Sequence, residues 1–395
     1  MTNVEFNHGA PRCRVVTCVF DPADAVSHYE HVRNTSIARM IADLMGGHFA
    51  GASQASGSSR TPLDCVPQRT LVGRALAQRV GIRTPDDLCG GVVPQALQAT
   101  KAITHRLVGP RASRPPGWSV RFAEAINAAV LPGYTAFRLP EAARAGTQLL
   151  RAGAVRITPT HAAGGKGQAV VHGPAALEAA LAALDPDQVA RCGVLLERHL
   201  EHVTTYSIGQ VHVAGLTASS YGVQRFTLHN RGVPSYGGSD LVRIRGGFEA
   251  LLGLELPPHL QLAIAQATVY DRALVHDPHI IVSCRNADVG QGCDHRGIVC
   301  SGVLEQSWRI GGASSAEIAA LLVLRADPTI QVVEVSSCER YGAGVVPPAG
   351  ARVHCAGTDP EEGAMTIVRV VTAQWRDVRG ATRGGVLARA CTGVA

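Results

Sequence analysis

Residues 302–314 read Gly-Val-Leu-Glu-Gln-Ser-Trp-Arg-Ile-Gly-Gly-Ala-Ser, or GVLEQSWRIGGAS. The stretch opens as an apolar run and then places Glu305, Ser307 and Arg309 on alternate residues. Side chains at i, i+2 and i+4 of a strand share one face, so these three point together. Burying three polar groups on one face is costly unless they meet a ligand, an ion or each other. The segments CRNADVGQG (284–292) and IVCSGVLEQS (298–307) flank the polar turn CDHRG and form a plausible antiparallel hairpin. Pairing near its centre sets Asp288 opposite Glu305. Facing carboxylates repel, and a divalent cation relieves that repulsion; oxygen ligands with room for water and phosphate suit Mg²⁺. A solvated strand face with a Glu305–Arg309 surface pair remains open as the alternative.

The flanking sequence is read by the same rules. Ser314-Ser315-Ala316-Glu317 fits a capping box, with Ser314 as N-cap and Glu317 at the third helical position, followed by the apolar helix IAALLVL. Upstream, Pro140 suits the first turn of a helix over 140–152. AVRITPT (154–160) and AVV (169–171) read as strands around the loop AAGGKGQ (162–168). Residues 175–184 place Leu177, Leu181 and Leu184 on one helix face. VLLERHL (194–200) and YSIGQVHV (206–213) are further strands. Near the start, CRVVTCVF (13–20) reads as a buried strand, GASQASGSSR (51–60) as a small-residue loop, and 70–80 as helix. Thr84-Pro85 can cap and start another helix. Beyond 345 the chain reads as short strands or a loosely held tail, and no internal repeat is present.

Composition narrows the class. At 395 residues, two or three domains are expected. With 46% hydrophobic and 17% charged residues the chain can fold as an ordinary globular protein. The net charge of +6 is modest and no nucleic-acid-binding tail is visible. The eleven cysteines are scattered, with no Cys-x-x-Cys pair, which argues against zinc ribbons and fits reduced thiols. No signal peptide or apolar spanning run is evident, so a soluble cytoplasmic protein is expected. Only two lysines occur, Lys101 and Lys166, in a strongly arginine-biased chain.

Lys166 lies in the glycine loop with Gly164, Gly165 and Gly167. Glycine amides can approach phosphates closely, because no Cβ intervenes. The loop does not match a Walker A sequence or a dinucleotide fingerprint, since it leads into a strand. An ordinary surface hairpin has the same appearance. The order of the pieces is more telling: Lys101, the glycine flap, the Leu-Glu-Arg-His-Leu strand, a carboxylate, then Glu-x-Ser-x-Arg and Gly-Gly. This order resembles the ATP-grasp superfamily, biotin-carboxylase-like members in particular, over roughly residues 95–325. More narrowly, ATKAITH (99–105), LPGYT (131–135), YGGSDL (236–241) and GVLEQSWRIGGAS resemble a bacterial ATP-grasp family of uncharacterised function.

The resemblance implies a fold and roles. The fold is α/β (α+β), with an N-terminal Rossmann-like domain over 1–98 and a small subdomain with the flap over 99–211. A large subdomain with the metal and substrate site spans 212–345, and a strand-rich tail 346–395. ATP and Mg²⁺ are the implied cofactors. Lys101 resembles the first phosphate-contacting lysine, and Gly164, Gly165, Lys166 and Gly167 the lid. Glu197 to Leu200 resemble the hinge strand at adenine, with Glu201 at the ribose and Gln224 near the phosphates. Asp288, Glu305 and Ser307 stand at metal positions, and Arg309 at the residue that steadies a substrate carboxylate or acyl phosphate. Gln224, Arg225, Tyr236, Ser239, Arg243 and Arg245 are candidate pocket residues or ordinary surface groups.

The departures matter as much. Thr158 stands where many ATP-grasp proteins have a second lysine, with Lys166 and Arg156 as imperfect substitutes. Ser307 replaces an asparagine. The base glutamate of biotin carboxylases falls at Ala313, and the lysine after their Gln-Arg segment is missing, so genuine biotin carboxylation is disfavoured. The implied reaction joins a small-molecule carboxylate to an amine or thiol through an acyl phosphate. A degenerate nucleotide-binding scaffold is the alternative, and a kinase on the same fold a third possibility. No nucleic-acid or membrane partner is expected, and a homodimer is possible.

Overall fold

A computed structural model describes residues 13–19, 26–54, 63–161 and 167–383. The chain begins with β1 (Arg14–Val19), α1 (His28–Met45), β2 (His48–Gln54) and β3 (Leu63–Pro67), a parallel sheet of order β2-β1-β3. Parallel strands need crossovers, and α1 is the first of them. Ser27 and Glu30 form the capping box that starts α1, and Gly46 ends it at φ 66°. Ile37, Ile41 and Leu44 give the helix its buried face. The expected loop over 51–60 is therefore strand as far as Gln54, because β2 pairs with β1; residues 55–60 lie outside the described residues. Next come β4 (Leu71–Val72), α2 (Arg74–Arg79) and β5 (Gly91–Val93). The Thr84-Pro85 cap opens a single 3₁₀ turn, Pro85–Asp87, in which Asp87 accepts from the Thr84 amide at 2.7 Å.

The second part contains α3 (Val120–Ala125), β6 (Gly133–Ala136), α4 (Leu139–Leu150), β7 (Val155–Pro159) and β8 (Ala169–Val171). It closes with α5 (Pro174–Ala182), α6 (Pro186–Cys192) and β9 (Val194–Arg198). Its strands form an antiparallel sheet of order β6-β9-β7-β8. Leu177 and Leu181 of α5 meet Ala142 and Ala145 of α4 and the apolar strand residues in one core.

The third part is the largest. It runs through β10 (Glu201–Val213), β11 (Leu216–Leu228), β12 (Pro234–Arg245), α7 (Phe248–Leu252), α8 (Pro258–Val275), β13 (Ile281–Val282), β14 (Cys284–Cys293) and β15 (Val299–Ser307). It ends with α9 (Ser314–Ala326), β16 (Val332–Tyr341), β17 (Arg352–Asp359) and β18 (Gly363–Trp375). Eight of these strands make one antiparallel sheet of order β15-β14-β10-β11-β12-β16-β18-β17. A tight turn with positive φ at Ala214 and Gly215 joins β10 to β11, as a two-residue hairpin requires. Helices α7 and α8 cover one face. Helix α9 and the N-terminal α1 cover the other. Of the stretch beyond 345, expected as short strands or a loosely held tail, Arg352–Asp359 and Gly363–Trp375 are the strands β17 and β18 at the end of this sheet, because β18 pairs with β16; residues 384–395 lie outside the described residues. Among the described residues no helix is long and apolar enough to cross a membrane.

Two expectations at α9 change. Ser314 is the first helical residue and its hydroxyl accepts from the Gly311 amide at 3.0 Å; Ala313 is the N-cap and makes no side-chain cap. Glu317 is drawn away by the fully buried Arg243, at 2.6 Å.

Candidate active site

The face of the large sheet under α9 and α1 changes character along its strands. On β16, Val333 and Val335 are core and are followed on the same face by Ser337 and Glu339. On β12, Leu241 gives way to Ser239; on β10, Val211 gives way to Ser207; on β14, Cys284 gives way to Asn286 and Asp288. The strand pairing aligns these polar residues. Glu305 lies opposite Asp288, Asp288 opposite Ser207, Gln224 opposite Ser239, and Ser239 opposite Ser337. The apolar half of the face holds the helix, while the polar half is open to chemistry where α9 begins.

Asp288 and Glu305 are the centre of this row. Burial and the Glu305 charge push the Asp288 carboxyl up to about 6, against hydrogen bonds from Gln224 and Asn286. Asn286 donates to Asp288 at 2.8 Å and accepts from Ser207 at 2.8 Å. Lys101 sits in a 3₁₀ turn capped by Thr100, and its Nζ lies 2.7 Å from Glu305. Ser307 pairs with Asn286 across the hairpin. Arg309 follows the strand. Burial and the charges of Arg33 and Arg69 push its guanidinium below the usual range, and its Nη1 donates to the Ile310 carbonyl at 3.1 Å.

Among the described residues no three His, Cys, Asp or Glu side chains could hold a metal ion by themselves. The Asp288–Glu305 pair nonetheless fits a cation that completes its shell with phosphate and water, because its carboxylates already strain against each other. Lys101 supplies part of that compensation from the protein itself.

Other predicted residues stand elsewhere. Glu197 is 3% exposed and its carboxylate is taken up by Arg156, at 2.8 and 3.1 Å, and by His105 at 3.1 Å. These partners overcome burial and hold it down to about 2. A carboxylate so engaged is a poor nucleotide contact for the hinge strand, and Arg156 is equally unavailable as a substitute for the missing lysine. Thr158 is buried with its hydroxyl unpaired. Leu200 is buried at the passage from β9 to β10, and Glu201 is exposed at the start of β10. Gly167 adopts φ 72°, whereas Gly164, Gly165 and Lys166 lie outside the described residues.

Of the candidate pocket residues, Tyr236 faces the row, with its hydroxyl 2.7 Å from Ser239 and 3.3 Å from Ser337. Arg225 donates to the Ser337 carbonyl at 2.6 Å and pairs with Asp240 at 3.4 Å. Arg243 and Arg245 are structural: the first pairs with Glu317, and the second donates to the Leu324 carbonyl at 2.6 Å at the end of α9. Sequence reasoning missed Asn286, which stands two residues before Asp288 and therefore on its face. It also missed Glu30, Arg33, Arg69 and Glu339, which no local pattern connects. A cleft of about 330 Å³ opens elsewhere, lined by Asp86, His212, Thr217 and Arg285, and holds none of the predicted residues.

Comparison with solved structures bears on the fold. The chain is similar to the biotin carboxylase–beta-gamma-ATP complex from Campylobacter jejuni, with a TM-score of 0.52 and 10% identity over 91% of this chain and 87% of that one. It is also similar to D-alanyl-alanine synthetase A from Vibrio cholerae, with a TM-score of 0.49 and 11% identity over 80% of this chain and 98% of that one. For phosphoribosylamine–glycine ligase from Thermotoga maritima the TM-score is 0.47 and the identity 12%, over 97% of each chain. No curated protein matches. On the likeness to the biotin carboxylase complex, the four-stranded and eight-stranded sheets and the parallel N-terminal sheet make an ATP-grasp fold. Within that class the chain belongs to the family described as a protein of unknown function, DUF3182, which matches residues 16–369.

Proposed function

We propose that the protein is an ATP- and Mg²⁺-dependent ligase that activates a small-molecule carboxylate as an acyl phosphate and passes it to an amine or thiol. The observation that carries this reading is the alignment of Asp288 with Glu305, with Lys101 2.7 Å from Glu305 and Arg309 just beyond on the same chain segment. In this reading Asp288 and Glu305 hold Mg²⁺, with Ser307 beside them. The metal, when bound, neutralises phosphate charge. Lys101 exchanges Glu305 for a phosphate oxygen, a small movement for a long flexible side chain. Arg309 orients the reacting carboxylate through a planar guanidinium that matches two oxygens. Gln224 and Asn286 keep Asp288 in place through hydrogen bonds to its oxygens. The catalysis asked of the chain is positioning and charge neutralisation.

Thr158 favours a second reading, a nucleotide-binding protein without ligation. It carries no charge, it is buried with an unpaired hydroxyl, and neighbouring Arg156 is bound to Glu197. The two readings part in one experiment. Thermal unfolding is followed with a non-hydrolysable ATP analogue and Mg²⁺, alone and together, alongside phosphate release from ATP with a panel of acids. The ligase reading expects a rise in midpoint that needs both ligands, acid-dependent phosphate release, and loss of both in Glu305→Gln. A rise in midpoint without release for any acid supports the second reading. Release undiminished in Glu305→Gln removes the metal assignment.

A further inference from the structure

Where α1 and α9 both begin, five charged side chains from four separate segments meet beside the polar row. Glu30 and Arg33 come from the first turns of α1, Arg69 follows β3, Glu339 ends the polar face of β16, and Arg309 follows β15. Arg69 lies 3.4 Å from Glu30, Arg33 lies 3.7 Å from Glu30, and Arg33 lies 4.0 Å from Glu339. These separations exceed the roughly 2.7–2.9 Å of a well-made charge-assisted bond. Among the described residues Arg309 has no ion pair, although it feels the charges of Arg33, Arg69 and Glu30.

The charges do not balance. Three guanidiniums share Glu30 and Glu339, and the third carboxylate that acts on Arg309, Glu305, is already paired with Lys101 at 2.7 Å. Of these, Glu339 is 2% exposed and its Oε1 accepts no hydrogen bond. Burial pushes that carboxyl up to about 7 in spite of Arg33, which leaves it only partly ionised at neutral pH. Buried charges need partners, and an excess of arginine in a partly enclosed place is satisfied by a planar oxyanion. Gly312 lets the start of α9 close on this place, since a Cβ there would lie 2.3 Å from the Tyr236 ring and 3.0 Å from Glu339 Oε1.

We propose that Arg33 and Arg69 form a second anion subsite, so that the acid taken by this site is a dicarboxylate. Its reacting carboxylate lies at Arg309 and its distal carboxylate lies against the N-terminal domain. This rests on the ligase reading for the end held by Arg309. The distal subsite stands on the arrangement of α1 and β3 alone. Glu30 acts as a placeholder that keeps the two arginines apart and oriented until the ligand carboxylate engages them.

The test is calorimetric binding of malonate, succinate, glutarate and adipate, each against a monocarboxylate of equal chain length, in the presence of a non-hydrolysable ATP analogue and Mg²⁺. At least one dicarboxylate is expected to bind tenfold or more tightly than its monocarboxylate. In Arg69→Gln, whose native side chain is 34% exposed and whose fold is checked by thermal unfolding, that ratio should fall toward one. Equal affinities in the wild type, no binding by any dicarboxylate, or a preference that survives in Arg69→Gln overturns the proposal. Phosphate release with the same acids separates the two claims. Arg69-dependent dicarboxylate binding without release leaves the subsite standing and removes the ligase. Release with monocarboxylates as readily as with dicarboxylates does the reverse.

Discussion

At Glu197 three effects compete. Burial alone raises a carboxyl, but Arg156 and His105 overcome it and hold the group at about 2, against an ordinary value of 4.5. The ionised form is therefore the native one. Its stabilisation is complete above the ordinary value and is lost as pH falls from about 4.5 to about 2. Glu197→Gln should cost roughly 3 kcal/mol at pH 7, a cost that shrinks steadily as pH falls from about 4.5 through about 2. Chemical unfolding of the two proteins between these limits checks this, and a pH-independent difference would contradict it. At this scale the sequence was partly legible. Asp288 and Glu305 face each other because strand alternation and a hairpin are local rules. Glu197 stood as a ligand contact on the resemblance, and no local pattern tells that Arg156 and His105 wait beside it. Glu339 and Arg33 are some three hundred residues apart, and nothing in either neighbourhood points to the other.

At the scale of elements, the start of α9 illustrates competition for one side chain. Ser-Ser-Ala-Glu is a sound cap pattern, yet Glu317 serves Arg243, which is fully buried and also donates to the Ala218 carbonyl and Ser220. A buried guanidinium outbids a helix amide for a carboxylate, because leaving it unpaired costs more. Glu317→Ala should destabilise the fold by about 3–5 kcal/mol, and combining it with Arg243→Met should restore most of that loss. Urea unfolding of both variants measures it; a double variant no more stable than the single one would show that the pair does not hold α9. The helices and strands between 133 and 198 follow their sequence periods closely, since they pack around a local sheet whose strands all lie within that stretch.

For the whole molecule, the docking of α1 on the large sheet is decisive. Tyr29 donates its amide to Asp359 at 2.8 Å, and Ser36 meets His354 at 2.9 Å. Burial, then Arg369 and Arg33, push His354 from 6.5 down to about 4, so the folded protein keeps it neutral. The unfolded chain takes up a proton below 6.5, so this contribution is intact above that pH and is lost as pH falls toward 4. His354→Gln should flatten the decline of the melting midpoint between pH 6.5 and 4.5. An unchanged slope would place the acid sensitivity elsewhere. The strand-rich character after 345 was legible in sequence, but Gly and Pro content left a loosely held tail open, whereas β18 gains its order from pairing with β16.

The contact from Tyr29 to Asp359 also bears on how the protein is made. Helix α1 is synthesised some three hundred residues before its partner strand β17. Until β17 and β18 emerge, Tyr29 and Ser36 of α1 lack their partners Asp359 and His354, and β16 lacks its neighbour β18. Such closure of early on late sequence slows folding and prolongs exposure of unpaired edges. The nascent chain should therefore be most dependent on chaperones between the emergence of β15 and that of β18, after the site strands exist and before the sheet that carries them is complete.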